Sequence, residues 1–247
     1  MSEFNRESTL HAQLKMMYAG PDGEQEVPVG TYFCDCKAPS GQLVEIQTGS
    51  FGPLKNKLRH IGQNHTVKIV HPIIRNRYIE TYSADMTLIR KRRSPKKGSL
   101  WDLFKALMHG PELAIHKNIT IELVALDILE KRIQDGKGSW RRQGISLSDK
   151  SLLHIHDTIT LQYPDSYLAF IPFSIEERFT IRDIYNRFQD EQAMNRKPID
   201  AAFCSPSREL QNYSSVQRAV YVLHRMGLIQ RVGKKGAFYL YRRVIGA

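Results

Sequence analysis

Between Glu26 and Thr48 the chain carries two β-like runs, Glu26 to Cys36 and Leu43 to Thr48. They are separated by Lys-Ala-Pro-Ser-Gly-Gln, whose Pro39 and Gly41 suit a tight reversal. The pattern predicts a hairpin. If Lys37 and Leu43 close it, Asp35 falls opposite Glu45 and Phe33 opposite Gln47. Strand periodicity then sets Asp35, Glu45 and Gln47 on one face and Cys34, Cys36, Val44 and Ile46 on the other. The apolar face explains folding. The acidic face needs a different reason, because carboxylates opposed across a sheet repel by about a few tenths of a kcal/mol, and more when partly buried. A cation between them removes the conflict. A hard divalent ion such as Mg²⁺ accepts oxygen ligands of this kind and needs only one or two carboxylates beside phosphate and water.

The rest of the chain interleaves helical and strand-like patterns. Arg6 to Ala19 places Leu10, Leu14 and Met17 at helical spacing and stops at Gly-Pro-Asp-Gly. Pro53 to Ile61 carries Leu54, Leu58 and Ile61 on one helical face, and VKIVHPII and YIETYS then read as strands. Leu100 to Met108 and Leu123 to Arg132 read as helices, which makes the class mixed α/β. Trp101 and Phe104 are expected in the core, and His154 and His156 on one strand face. Cys34 and Cys36 are expected to be buried thiols sharing a face. The three cysteines, with Cys204, form no paired framework for disulfides or structural zinc, so reduced thiols are expected.

Charge matters here through its placement. Of 247 residues, 36 are Lys or Arg and 25 Asp or Glu, a formal net charge of +11. A hydrophobic content of 41% argues against wholesale disorder. No apolar run approaches the ~18 residues of a membrane span, and the first residues lack a secretory apolar stretch, so a cytoplasmic protein is expected. Residues 86–98 hold six cations, among them Arg90, Arg92 and Arg93, and no acid. From Thr180 onward there are twelve cations against five acids. Such blocks suit a polyanion.

That C-terminal region reads as helix, helix, hairpin, with a boundary near Pro172 dividing the chain into 1–172 and 173–247. Ser214 or Ser215 can cap a helix running to Ile229. The hairpin after it has Gly233-Lys234-Lys235-Gly236 at its tip. The phrase VYVLHRMGLIQRVGKKGAFYLYRR resembles the recognition helix, strand and wing of winged helix-turn-helix domains over about residues 175–244. The resemblance implies DNA contacts by Gln217, Arg218, Tyr221 and Arg225 from the helix and by Lys234 and Lys235 from the wing. A winged helix used for protein contacts, with these cations solvated, is the competing reading.

Asp35, Glu45-Ile46-Gln47 and the helix bearing Glu7 and His11 together resemble the PD-(D/E)xK nuclease superfamily, in the ExQ variant of competence-associated CoiA-like proteins, over about residues 6–90. This resemblance implies a restriction-endonuclease-like mixed sheet flanked by helices. It further implies a Mg²⁺- or Mn²⁺-dependent endonuclease acting on DNA. Asp35 and Glu45, with Glu7, would hold the ion. Gln47, Lys57 (or Lys55) and His11 would complete the catalytic set, and Glu26 is a further acidic candidate. Gln47 stands where the common pattern has lysine, and Lys57 could restore that charge from the following helix. Three readings follow: an active deoxyribonuclease, an inactive nuclease-fold regulator or assembly factor that binds DNA, and an RNA-directed protein, because phosphate electrostatics do not distinguish the sugar. A homodimer is compatible with each.

Overall fold

The computed structural model describes residues 7–194, 206–210 and 212–244. The expected helix start at Arg6, and Cys204, Arg196 and Lys197, lie outside them. The fold is mixed α/β, a large mixed sheet flanked by helices. In chain order the elements are α1 (Thr9–Ala19), β1 (Glu24–Val29), β2 (Tyr32–Lys37), β3 (Leu43–Ile46), α2 (Lys55–Ile61), β4 (Val67–Ser83), β5 (Leu88–Arg93), α3 (Asp102–Leu107), β6 (Ile119–Gln134) and β7 (Ile145–Leu161). A short α4 (Asp165–Leu168) precedes α5 (Ile181–Met194), α6 (Pro206–Glu209), α7 (Tyr213–Arg225) and the hairpin β8 (Ile229–Lys235) and β9 (Phe238–Arg243).

The sheet order is β1-β2-β3-β4-β6-β7, with β5 paired to β4. The β3–β4 and β4–β6 pairs are parallel and the others antiparallel. The expected hairpin is present in the expected register, with Cys36 opposite Val44 and Lys37 opposite Leu43. Upstream, the single run Glu26 to Cys36 is broken into β1 and β2 by a two-residue turn at Gly30-Thr31, where Gly30 adopts φ +61°.

The expected helix over Leu123 to Arg132 is instead the middle of β6. Its apolar residues alternate between two layers. Ile121, Leu123 and Ala125 pack with α2, α3 and the C-terminal helices, whereas Val124, Leu126 and Ile128 pack with Leu10 and Leu14 of α1. A strand buried on both faces reads as a continuous apolar run, and such a run also satisfies a helical template. Ile69 and Ile73 of β4 face the first layer and Val70 the second.

Cys34 and Cys36 do not share a face. Cys34 belongs to the α2–α3 layer and Cys36 to the α1 layer. The reversal falls between them, at Asp35, whose neighbour across β1 is Glu26 with φ +50°. Trp101 and Phe104 are core residues, as expected.

The C-terminal helices close the α3 side. Trp101 meets Phe188 of α5 edge to face at 5.7 Å and donates its Nε1–H to the Pro206 carbonyl. Glu209 accepts from the Leu100 amide at 2.7 Å and pairs with Arg75 at 3.0 Å. Buried residues from Val27 to Tyr241 thus form one core. Helix α7 starts at Asn212, whose side chain accepts from the Ser215 amide, rather than at Ser214 or Ser215. Gly233 lies inside β8, and the hairpin tip is Gly236-Ala237, with Lys235 opposite Phe238.

Strands β4, β6 and β7 are 17, 16 and 17 residues long. At about 3.3 Å per residue they reach about 55 Å, well beyond a usual strand. Their outer halves and β5 form an arm that extends past the two-layered core. Among the described residues no helix is long and apolar enough to cross a membrane.

Candidate functional site

The site lies where α1, β2, β3 and α2 meet at the end of the hairpin. Ser8 caps α1 by accepting from the His11 amide; His11 and Lys15 lie on one helical face over the sheet edge, and Glu7, just before the cap, reaches both. His11 bridges two carboxylates. Its Nδ1 lies 2.5 Å from Glu7 Oε1, and its Nε2 lies 3.2 Å from Asp35 Oδ2 and 3.1 Å from the Ile46 carbonyl. With both ring nitrogens facing acceptors the imidazolium is the satisfied form. The bond to Asp35, outweighing the cost of burial, pushes the His11 pKa up to about 9.

Asp35 also accepts from the Ile46 amide at 2.7 Å. Burial opposes its ionisation, yet the His11 and Ile46 hydrogen bonds and the charges of His11 and Lys57 hold its carboxyl below the usual range. Glu45 behaves oppositely. Both of its oxygens lie 2.6 Å from Lys57 Nζ, but burial, and then the adjacent Asp35 charge, push its pKa up. Two neighbouring carboxylates thus titrate in opposite directions, a feature of sites built for chemistry as well as of buried ion pairs.

Lys15 joins this group although strand alternation gives it no place there. It is 4% exposed and pairs with Glu7 at 2.9 Å and, more closely, with Glu26. Burial disfavours its charge, but these two partners hold its pKa above the usual value. The signal was available: Glu7, His11 and Lys15 recur every four residues. Glu7, His11, Lys15, Glu26, Asp35 and Thr48 line an open cleft of about 520 Å³.

Gln47 does not join the carboxylates. Its Nε2 donates to the Ser50 carbonyl at 2.5 Å, and its own carbonyl accepts from His71 at 2.6 Å, so it shapes the turn leaving β3. The expected common face of Asp35, Glu45 and Gln47 is not seen: Asp35 meets His11 of α1, Glu45 meets Lys57 of α2, and Gln47 turns onto Ser50. Lys55 pairs with Glu112 at 2.7 Å, away from the carboxylates. Burial pushes the thiols of Cys34 up to about 11 and Cys36 up to about 12, so neither is a nucleophile near neutral pH.

Among the described residues no group of three or more His, Cys, Asp or Glu is arranged to enclose a metal ion. Asp35 and Glu45 do fit a Mg²⁺-like ion in donor type and number, since such an ion is usually held by one or two carboxylates and keeps several waters. The conflict between their charges, which after burial is the second cause of the raised Glu45, is one that an added cation relieves.

The expected nucleic-acid contacts are dispersed. Gln217, Tyr221 and Arg225 are exposed on α7, whereas Arg218 folds back onto Ser214 and Ser215. Lys234 and Lys235 are exposed on β8, with Arg231 and Lys234 over the Tyr239 ring at 4.2 and 5.3 Å. Arg90 and Arg93 are exposed and Arg92 half-buried on β5, where Arg93 donates to Asn76.

The chain is similar to an "Uncharacterized protein" of Treponema pallidum (strain Nichols), with 29% identity over 179 residues, which is 72% of this chain and 71% of that protein. No solved structure matches. Residues 8–162, holding α1, the hairpin, both central strands and the arm, match one family across more than half of the chain, and the protein therefore belongs to the family described as Domain of unknown function (DUF8091).

Proposed function

We propose that this protein is a divalent-metal-dependent deoxyribonuclease. The finer fold reading belongs to the same proposal: a restriction-endonuclease-like sheet followed by a winged helix. The observation that carries it is the proximity at one corner of Asp35, bound to the Glu7–His11 pair, and Glu45, bound to Lys57, close enough for their charges to act on each other. The PD-(D/E)xK resemblance calls for these residue types, and four separate elements supply them.

A divalent ion held by Asp35 and Glu45 would supply Lewis acidity and a more acidic water. The chain's own residues do the rest. Asp35, fixed by the Ile46 amide and His11, stays ionised and oriented. Lys57, once shared with a phosphate, stabilises the charge that develops on its oxygens. Asp35, and after it Glu7, keep His11 protonated, which places a positive charge at the cleft wall where a phosphate would approach.

Purified protein incubated with Mg²⁺ or Mn²⁺ should cut DNA, and Asp35→Ala with Glu45→Ala should lower cutting by at least about 100-fold while the fold is kept. Equal cutting by the double variant would sink the assignment. A second reading, a non-cutting DNA-binding protein, is favoured by the closed Glu45–Lys57 pair and by Gln47 turned onto Ser50. It expects salt-sensitive DNA binding and intact duplex, single-stranded and branched substrates with either metal.

A further inference from the structure

The end of the arm carries a feature that the corner site does not use. Trp140 is 86% exposed, whereas the protein's other tryptophan, Trp101, is 1% exposed. Tryptophan is enriched at interfaces, and exposed apolar residues gathered in one place mark interaction sites. The loop that presents Trp140 is closely built. Residues 140–142 form a turn of 3₁₀ helix closed by Arg142 N–H to Ser139 O at 2.8 Å and Gln143 N–H to Trp140 O at 3.0 Å. Gly138 N–H bonds Gly144 O, and Asp135 accepts from the Lys137 amide and the Ser146 hydroxyl. Gln143 and Gly144 adopt φ of +51° and +75°. The ring is therefore held outward by its backbone rather than left over from a disordered loop.

The surroundings define the partner. Arg141 and Arg142 follow Trp140, and Lys137 precedes it; all are exposed or half-buried. Pairing of Tyr82 with Ile133 and Ser83 with Gln134 brings the β4–β5 turn beside this loop, adding the exposed Met86, Leu88 and Ile89, with Arg90 behind them. Cations continue inward along the edge strand as Lys91, Arg92 and Arg93, and on β6 as Lys131 and Arg132; Lys91 is paired with Glu80 and Arg132 with Glu130, and the others keep the arm's charge positive. A lipid surface would meet only the crest. A charged run along the arm suits a long polyanion whose bases can stack on an aromatic ring. From His71, beside the corner site, to Ser83 is 12 residues, or about 40 Å at strand rise, the length of about 12 base pairs.

We infer that Trp140, with Arg141 and Arg142, forms a second nucleic-acid contact in which the indole stacks on an unpaired base about one helical turn from the corner site. The choice of nucleic acid rests on the function proposed above, but its consequence is separable from cutting. A rigid aromatic at the end of a basic arm selects DNA in which a single-stranded segment adjoins a duplex, because every base offers a face once it is out of the stack.

The two tryptophans make the test clean. Adding DNA with a single-stranded overhang to the full chain in EDTA should quench the Trp140 fluorescence, in a manner reversed by salt. Trp140→Ala should remove the quench and weaken binding by about 5- to 100-fold, with an unchanged circular dichroism spectrum, and Trp140→Tyr should restore most of the affinity. A blunt duplex of equal length should quench less. Unchanged affinity in Trp140→Ala overturns the inference. So does a fluorescence blue shift on phosphatidylserine-containing vesicles with no response to DNA. If overhang DNA quenches Trp140 but is never cut with Mg²⁺ or Mn²⁺, the nuclease reading fails and this contact stands. If DNA is cut equally by wild type and Trp140→Ala with equal affinity, the reverse holds.

Discussion

His11 stands between Glu7 and Asp35, and its charge is what allows two carboxylates to share the end of a short helix with a strand. Its pKa in the folded chain, about 9, lies above the unfolded value near 6.5. The stabilisation it gives is complete below about pH 6.5 and is lost as pH rises toward 9. Discounted for its partial exposure, the loss is on the order of 2 kcal/mol. Thermal melts from pH 6 to 9.5 should show this decline in wild type and a flatter profile in His11→Gln, and a histidine NMR titration should give the raised midpoint directly. The nearness of Asp35 and Glu45 is legible in the residues, because one reversal fixes the register in which their strands pair. The contacts of Gln47 and Lys15 are not. Gln47 is diverted by a carbonyl three residues on, and Lys15 is drawn in by an acid from β1, neither of which strand or helix periodicity contains.

At the level of elements, the arm depends on Gly138. A Cβ there would lie 2.1 Å from the Ile145 carbonyl oxygen, which is backbone and cannot turn aside. Gly138→Ala should open the tip: amide exchange at residues 137–144 should rise at least about tenfold, while the amides of β6 from Ile121 to Ile128 keep their protection. The helical spacing within strand β6 belongs to this scale too. Its ELVALDIL run fits a helix by spacing, and burial by two layers, which is what selects a strand, arises only once α1 and α3 are both in place. The segment VKIVHPII and the later YIETYS were read as strands, and they are one strand, continuous through an irregularity at Ile74–Asn76. The C-terminal hairpin was foreseen, but its tip shifted because Gly233 sits at a bulge within β8 rather than at the turn.

For the whole molecule, the decisive contact is Trp101, which touches Phe104, Phe170 and Phe188 and reaches Pro206 by its ring N–H. It ties the sheet to the C-terminal helices. Trp101→Ala should cost about 3–5 kcal/mol, and calorimetry should register the loss as a lower midpoint of one transition shared by both parts of the chain. Two separated transitions in wild type would show that the core from Val27 to Tyr241 does not act as a unit. The edge strand β5 has a further effect at this scale. An unpaired strand edge invites a second chain to add to the sheet, and proteins commonly deter this with charge. Arg90 to Arg93 place four cations along that edge, of which Lys91 is paired with Glu80, so charge there opposes the joining of two sheets. Were the proposed polyanion to neutralise the row, that repulsion would be removed and self-association along β5 would become cheaper.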